Sequence, residues 1–218
     1  MNNYHVINRF NCLIFWGHVL FALCLGGYRI ANGNYYSAFL ALASFLILLL
    51  PHIVFALLKL QLIPQLLTLA YLFCTVAFTI GTALGVYQLL PYYDKVVHTL
   101  SGVLFSFLGL LLFSRLKPER RISSEELPLA VIFSFSFSMM IAAVWELYEY
   151  TVSLLTPMDP QNVLTTGIHD TMLDMLVCLV GAALFIIPEV LYFRTGHKDL
   201  LMSAYEDFLL KNKDTPEK

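Results

Sequence analysis

The sequence predicts an all-α membrane protein: a polytopic bundle of six transmembrane helices with both chain ends on the cytoplasmic side. Three observations predict it. First, 59% of the residues are hydrophobic and only 13% charged, whereas soluble domains sit near half and a quarter. The mean hydropathy of +0.74 points the same way. Second, six apolar stretches each approach or exceed the roughly 20 residues that a hydrocarbon core demands. Third, the basic residues fall almost entirely on one face once the stretches are threaded back and forth.

Taken in order, the stretches are Phe10–Gly27, Tyr36–Leu58, Gln65–Leu90, Val96–Ser114, Leu127–Leu155 and Asp170–Phe193, each bounded by charge, Pro, Gly or Asn. The first is long and lacks a clean small-residue cleavage site, so it reads as a retained helix rather than a signal peptide. The third and fifth are longer than a bilayer needs, which permits tilt. Residues 1–198 read as a single transmembrane domain and 199–218 as a cytoplasmic tail. In that tail Leu200, Leu201, Tyr205, Phe208 and Leu209 recur at helical spacing, the pattern of a short helix on the inner leaflet; a frayed tail is the alternative.

With the N-terminus inside, Arg9, Lys59, Arg115, Lys117, Arg120, Arg121, Arg194, Lys198, Lys211, Lys213 and Lys218 lie on the inner face. Only Arg29 and Lys95 lie outside. Removing one span would put either the Arg115–Arg121 cluster or the tail on the wrong side. Other classes fall away quickly. The four cysteines stand singly within apolar runs, so neither a disulfide framework nor a zinc ribbon is indicated. No basic stripe accompanies the aromatics, which argues against nucleic acid as a partner.

The informative residues are acids and histidines near helix ends. Asp94-Lys95-Val96-Val97-His98 opens the fourth span, Glu146 and Glu149 sit late in the fifth, and His169-Asp170 through Asp174 opens the sixth. An ionised side chain at mid-bilayer costs roughly 2.5–3.5 kcal/mol, so each needs a partner or a function. Asp94 and His98 are four apart, Glu146 and Glu149 three, Asp170 and Asp174 four, so each helix projects its pair on one face. With the orientation above, all three pairs fall in the outer half of the membrane.

Carboxylates with an imidazole suit a divalent cation: Zn, Mn or Fe with His, Mg or Ca where oxygens dominate. The expected ligands are Asp94, His98, Glu146, Asp170 and Asp174, and Glu149 or Glu146 is left as general base. The plainer reading is an ion-pair network in which Lys95 neutralises Asp94 or a glutamate and fixes helix packing. His169 reads as a headgroup-level residue, and His18 and His52 as hydrogen-bonded packing residues. Glu189, near the inner end of the sixth span, is expected to pair with Arg194 or face water. Tyr92, Tyr93, Trp145, Tyr148 and Tyr150 fit an outer aromatic belt or a pocket wall.

The three acidic groups resemble the signature of VanZ-like membrane proteins, and more closely that of the related YjdF-like inner-membrane family. The resemblance rests on Asp94-Lys95-x-x-His98, on Glu146, and on Asp170 through Asp174 followed by Gly181, and covers roughly Tyr92–Leu184. VanZ-like proteins often carry Gln where this chain has Glu149, and Asn where it has Asp174. The resemblance implies a bacterial plasma (inner) membrane location. VanZ-like members are associated with low-level glycopeptide-antibiotic resistance.

Three functions follow as expectations. The leading one is a site that binds or acts on an envelope lipid or lipid-linked head group, as a metal-dependent hydrolase would. The second is a small-solute or proton-coupled transporter, whose polar path would run inward past Ser134, Ser136 and Ser138. The third is a non-catalytic structural or partner-binding membrane protein.

Overall fold

The computed structural model describes residues 2–117 and 122–213, so Arg120, Arg121 and Lys218 of the expected inner face lie outside it. Among the described residues the structure is helical without strands. Five helices among the described residues are long and apolar enough to cross a membrane, and a bent pair makes a sixth span if counted as one. The chain is a polytopic α-helical membrane protein. It divides into two compact units, Met1–Tyr93 with Glu206–Lys218, and Asp94–Tyr205.

The first unit contains α1 (Asn2–Ala31), α2 (Tyr35–Ile47), α3 (Leu50–Leu57), α4 (Pro64–Cys74) and the short α5 (Val86–Leu89). Asn34 starts α2 by accepting the backbone N–H of Ser37 at 3.1 Å, the usual way an N-terminal donor is satisfied. The expected unbroken helix over 36–58 is bent by 42° between α2 and α3. Pro51 explains the bend. It has no N–H to offer the carbonyl of Ile47, four residues back, and its ring crowds that carbonyl. Leu48 and Leu49 bridge the break with tighter bonds, to Phe45 and Leu46.

The expected helix over 65–90 also departs from a single rod. After Cys74 it widens into a π-helix, Thr75–Ala83, with Leu84 donating five residues back to Thr79. It ends at Gly85, whose φ of +79° suits a residue without Cβ. Thr75 and Thr79 face His18 of α1, which lies 3.3 Å from the Thr75 hydroxyl, 2.9 Å from that of Thr79 and 3.1 Å from that of Ser44. His52 meets the Tyr71 hydroxyl at 3.0 Å. Both histidines are hydrogen-bonded as expected, but only His18 is buried; His52 is exposed. The end of α10 (Leu200–Lys211) closes this unit. Phe208 packs edge-on against Phe55, and Asn212 brackets Gln61, accepting its N–H and donating to its carbonyl.

The second unit is built on α6 (Tyr93–Leu116), α7 (Leu127–Leu155) and α9 (His169–Thr195), with a one-turn α8 (Val163–Thr166) between the last two. Each long helix turns small residues inward. On α7 the buried positions Ala130, Ser134, Ser138, Ala142 and Glu146 recur every four residues, a single stripe along the helix. The α6 and α9 backbones touch: a Cβ on Gly181 would stand 2.1 Å from the Thr99 carbonyl oxygen, and one on Gly102 2.3 Å from that of Cys178. Helices that cannot gain from a hydrophobic effect inside lipid associate through such close contact. Ser138 adds a bond to the Gly102 carbonyl at 3.0 Å, and Phe107 packs against Phe185. Between α6 and α7, Lys117 pairs with Glu126. That pairing, helped by Ser123, holds the exposed Glu126 carboxyl down to about 2.

The tail helix has formed, and its apolar residues Met202, Ala204, Tyr205 and Phe208 are buried by protein. Tyr205 sits edge-on to Tyr192 and Phe193 and shares a hydrogen bond with the Ser114 hydroxyl.

Candidate functional site

Asp94 and His98 occupy the first turns of α6, one helical turn apart, and Asp170 and Asp174 do the same on α9. The Gly102–Gly181 contact sits one to two turns below both pairs and holds the two helix starts close together. The Nε2 of His98 lies 3.5 Å from Asp94 and 3.8 Å from Asp174. Asp94, His98 and Asp174 each offer a ligand atom within 4.8 Å of the other two. His98 and Asp174 are buried, at 8% and 3% exposure.

Those distances decide what the group can do. At 3.5 and 3.8 Å the imidazole nitrogen is too far from either carboxylate for a good hydrogen bond. Ligand atoms that share one ion at about 2.1 Å in tetrahedral geometry stand roughly 3.4 Å apart. The three groups therefore fit the donor set of a divalent cation, and three protein ligands leave a position open for water or substrate.

Lys95 lies at the centre of the charge arrangement. Its ammonium donates to Asp170 at 2.5 Å, Asp174 at 2.7 Å and Asp94 at 3.1 Å. The sequence reading paired it with Asp94 or a glutamate; the structure adds both aspartates of α9. Asp170 is turned to Lys95 and, through its other oxygen, to Asn162 at 2.7 Å. Glu146 accepts from Gln161 at 3.0 Å, and Gln161 also reaches the Glu146 carbonyl. Glu149 accepts from the Trp145 indole at 2.9 Å and feels the charges of Glu146, Asp94 and His98. So Asp94, His98 and Asp174 come together, with Lys95 bonded to both of these aspartates, whereas Asp170 and Glu146 are turned to Asn162 and Gln161 and Glu149 stands beside them.

Gln161 and Asn162 were not anticipated. They lie in the α7–α9 connection, which Asp159 fixes by accepting the N–H groups of Val163 and Leu164 at 2.9 Å each. Asn162 sits at a positive φ of 52°, a conformation Asn tolerates better than most residues. The Asp-Pro-Gln-Asn run is a turn signal, but which acids it would grip is set by the packing of α7 and α9.

Glu189 differs from expectation. It is fully buried rather than paired with Arg194 or facing water. Ser134 donates to one of its oxygens at 2.9 Å, and the other has no hydrogen-bond partner among the described residues. The inward stripe of α7 faces α9, and that geometry captures the acid before it can reach the helix end. Ser136, by contrast, points outward.

A family model described as predicted membrane protein (DUF2238) matches residues 13–195, from α1 to the end of α9. The chain belongs to that family. No curated protein and no solved structure matches it. The matched span contains every acid and histidine of the site, and the family description carries membrane character without a chemistry.

Proposed function

We propose that this family member resides in a bacterial plasma membrane with both ends cytoplasmic and uses the α6–α7–α9 site on an envelope lipid or lipid-linked head group. The location rests on the basic-residue bias and on the VanZ-like and YjdF-like resemblance. The observation that carries the chemistry is the spacing of His98 from Asp94 and Asp174, 3.5 and 3.8 Å, which suits a shared divalent cation such as Zn, Mn, Fe or Mg better than a direct ion pair.

A cation bound there supplies Lewis acidity toward a phosphoryl or carbonyl oxygen and lowers the pKa of a coordinated water. The chain's own groups do the rest. Lys95 holds Asp94 and Asp174 in place by donating to both. Glu149, anchored at one oxygen by Trp145, would take at its other oxygen the proton of a water that adds to the phosphoryl or carbonyl centre, and would return that proton to the alkoxide that leaves as the ester bond breaks. Asp170 keeps Lys95 in position, and Glu146 lies one turn deeper beside Gln161. Elemental analysis tests this reading. About one equivalent of a transition metal or Mg per chain is expected in the purified protein and a large loss in His98→Ala combined with Asp174→Ala. Equal and negligible metal in both proteins would overturn it.

One observation favours a proton-coupled carrier as the second reading. The stripe that begins at Glu146 continues inward through Ser138 and Ser134 to the buried Glu189. This reading expects solute uptake in proteoliposomes to follow an imposed pH gradient and to vanish in Glu189→Gln. Uptake indifferent to the gradient removes it.

A further inference from the structure

Beside the acidic cluster, a cavity of about 620 Å³ opens between the outer parts of α7 and α9. Its size lies within the range of small-molecule sites. The walls are apolar, with Ala143, Leu147, Ile168 and Met175 among them, and Glu146 and Gln161 supply the polar groups. Leu147 and Ile168 are 63% and 72% exposed. The cavity thus opens at an apolar surface of the chain. Glu146 has one carboxyl oxygen bonded to Gln161 and the other without any hydrogen-bond partner among the described residues, although the side chain is more than nine-tenths buried. A buried acceptor left unpaired costs about 1–3 kcal/mol, more for a charged group. That oxygen is sealed behind the cavity wall, so a donor in the cavity reaches it once the Glu146 side chain turns toward the opening.

We infer that this cavity admits from the bilayer the tail of a lipid whose head group carries an N–H or O–H donor, and that Glu146 receives that donor. The apolar walls take acyl chain, the open side gives passage without crossing water, and the unpaired carboxyl oxygen selects amino or hydroxyl head groups over those that have no such hydrogen. A choline head group, fully methylated, has none. This deepens the proposed function by naming a substrate class for the same site, and it rests on that reading only for what happens after binding.

The test uses the full-length protein in phosphatidylcholine nanodiscs doped with photoreactive lipids that bear a diazirine on one acyl chain. Three probes share the same chains: phosphatidylethanolamine, phosphatidylglycerol and phosphatidylcholine. Peptides carrying the α7 segment around Ala143–Tyr150 and the α9 segment around Ile168–Met175 are expected to label several-fold more with one or both donor lipids than with the choline probe. Which donor lipid wins separates an amino from a hydroxyl head group. Ala143→Trp, which fills the cavity from its α7 wall one turn from Glu146, is expected to abolish labelling there. Glu146→Ala is expected to keep the labelling and lose the head-group preference. Equal labelling by all three probes in the unmodified protein overturns the donor assignment. Labelling untouched by Ala143→Trp overturns the cavity as the seat. Negligible metal in the elemental analysis would end the cation reading alone, whereas loss of the head-group preference in the unmodified protein would end this one alone.

Discussion

Lys95→Met is expected to lower folding stability by about 3 kcal/mol, the low end of what removing one partner of a buried ion network costs. Its ammonium is the one cation within hydrogen-bond reach of Asp94, Asp170 and Asp174 among the described residues. The lysine side chain is 14% exposed, and Asp170 and Asp174 are 13% and 3% exposed. Without Lys95, three carboxylates face one another in a site that water reaches poorly, and repulsion is added to lost bonds. Asp94, at 34% exposure, contributes least because solvent screens it. Adding Asp170→Asn to Lys95→Met should recover part of the loss, since the double variant buries one charge fewer. Denaturant or thermal unfolding in detergent, run with and without added divalent cation, reads the effect. A Lys95→Met protein that unfolds together with the parent would show that the network does not hold the helix starts.

The second large effect belongs to Gly181. Its missing Cβ leaves room for the Thr99 carbonyl oxygen, which would otherwise stand at 2.1 Å, and the Gly102 Cα would be at 3.1 Å. All of these are backbone atoms, so no side chain can rotate away. Gly181→Ala should push α6 and α9 apart at the crossing and cost roughly 1–3 kcal/mol, as overpacking of a close-fitted interior does. Because His98 adjoins Thr99 and Asp174 lies two turns before Gly181, any metal that the site holds should be lost along with stability. Gly17→Ala is the control: a Cβ there meets nothing within 4 Å, and its melting temperature should not drop. If both alanine variants melted alike, the helix crossing would not be the constraint described.

How much of this was legible in the sequence depends on the range of the interaction. The helical spans were, because a continuous apolar run is a local property and the bilayer admits few alternatives. Leu127–Leu155 has the same limits in sequence and structure. The break at Ile47–Leu50 was legible in principle, since Pro51 is visible, but apolar residues on both sides made the run look unbroken. The π-helical segment was not legible. Its widened turn faces His18, which belongs to a different helix. In the site, helical spacing correctly put Asp94 with His98 on one face and Asp170 with Asp174 on another. It could not say that Lys95 would bridge the two helices, because that depends on the Gly102–Gly181 approach. Glu189 was misassigned for a related reason. Arg194 was near in sequence, whereas Ser134 is near in space.

The α7–α9 connection carries one more implication. Gln161 grips an acid on α7 and its immediate neighbour Asn162 grips an acid on α9. The separation of those two helices at their outer ends is therefore gauged by a single peptide unit, a ruler one residue long. Whatever displaces that turn releases Glu146 and Asp170 in the same motion. The two acids are thus wired to a common handle.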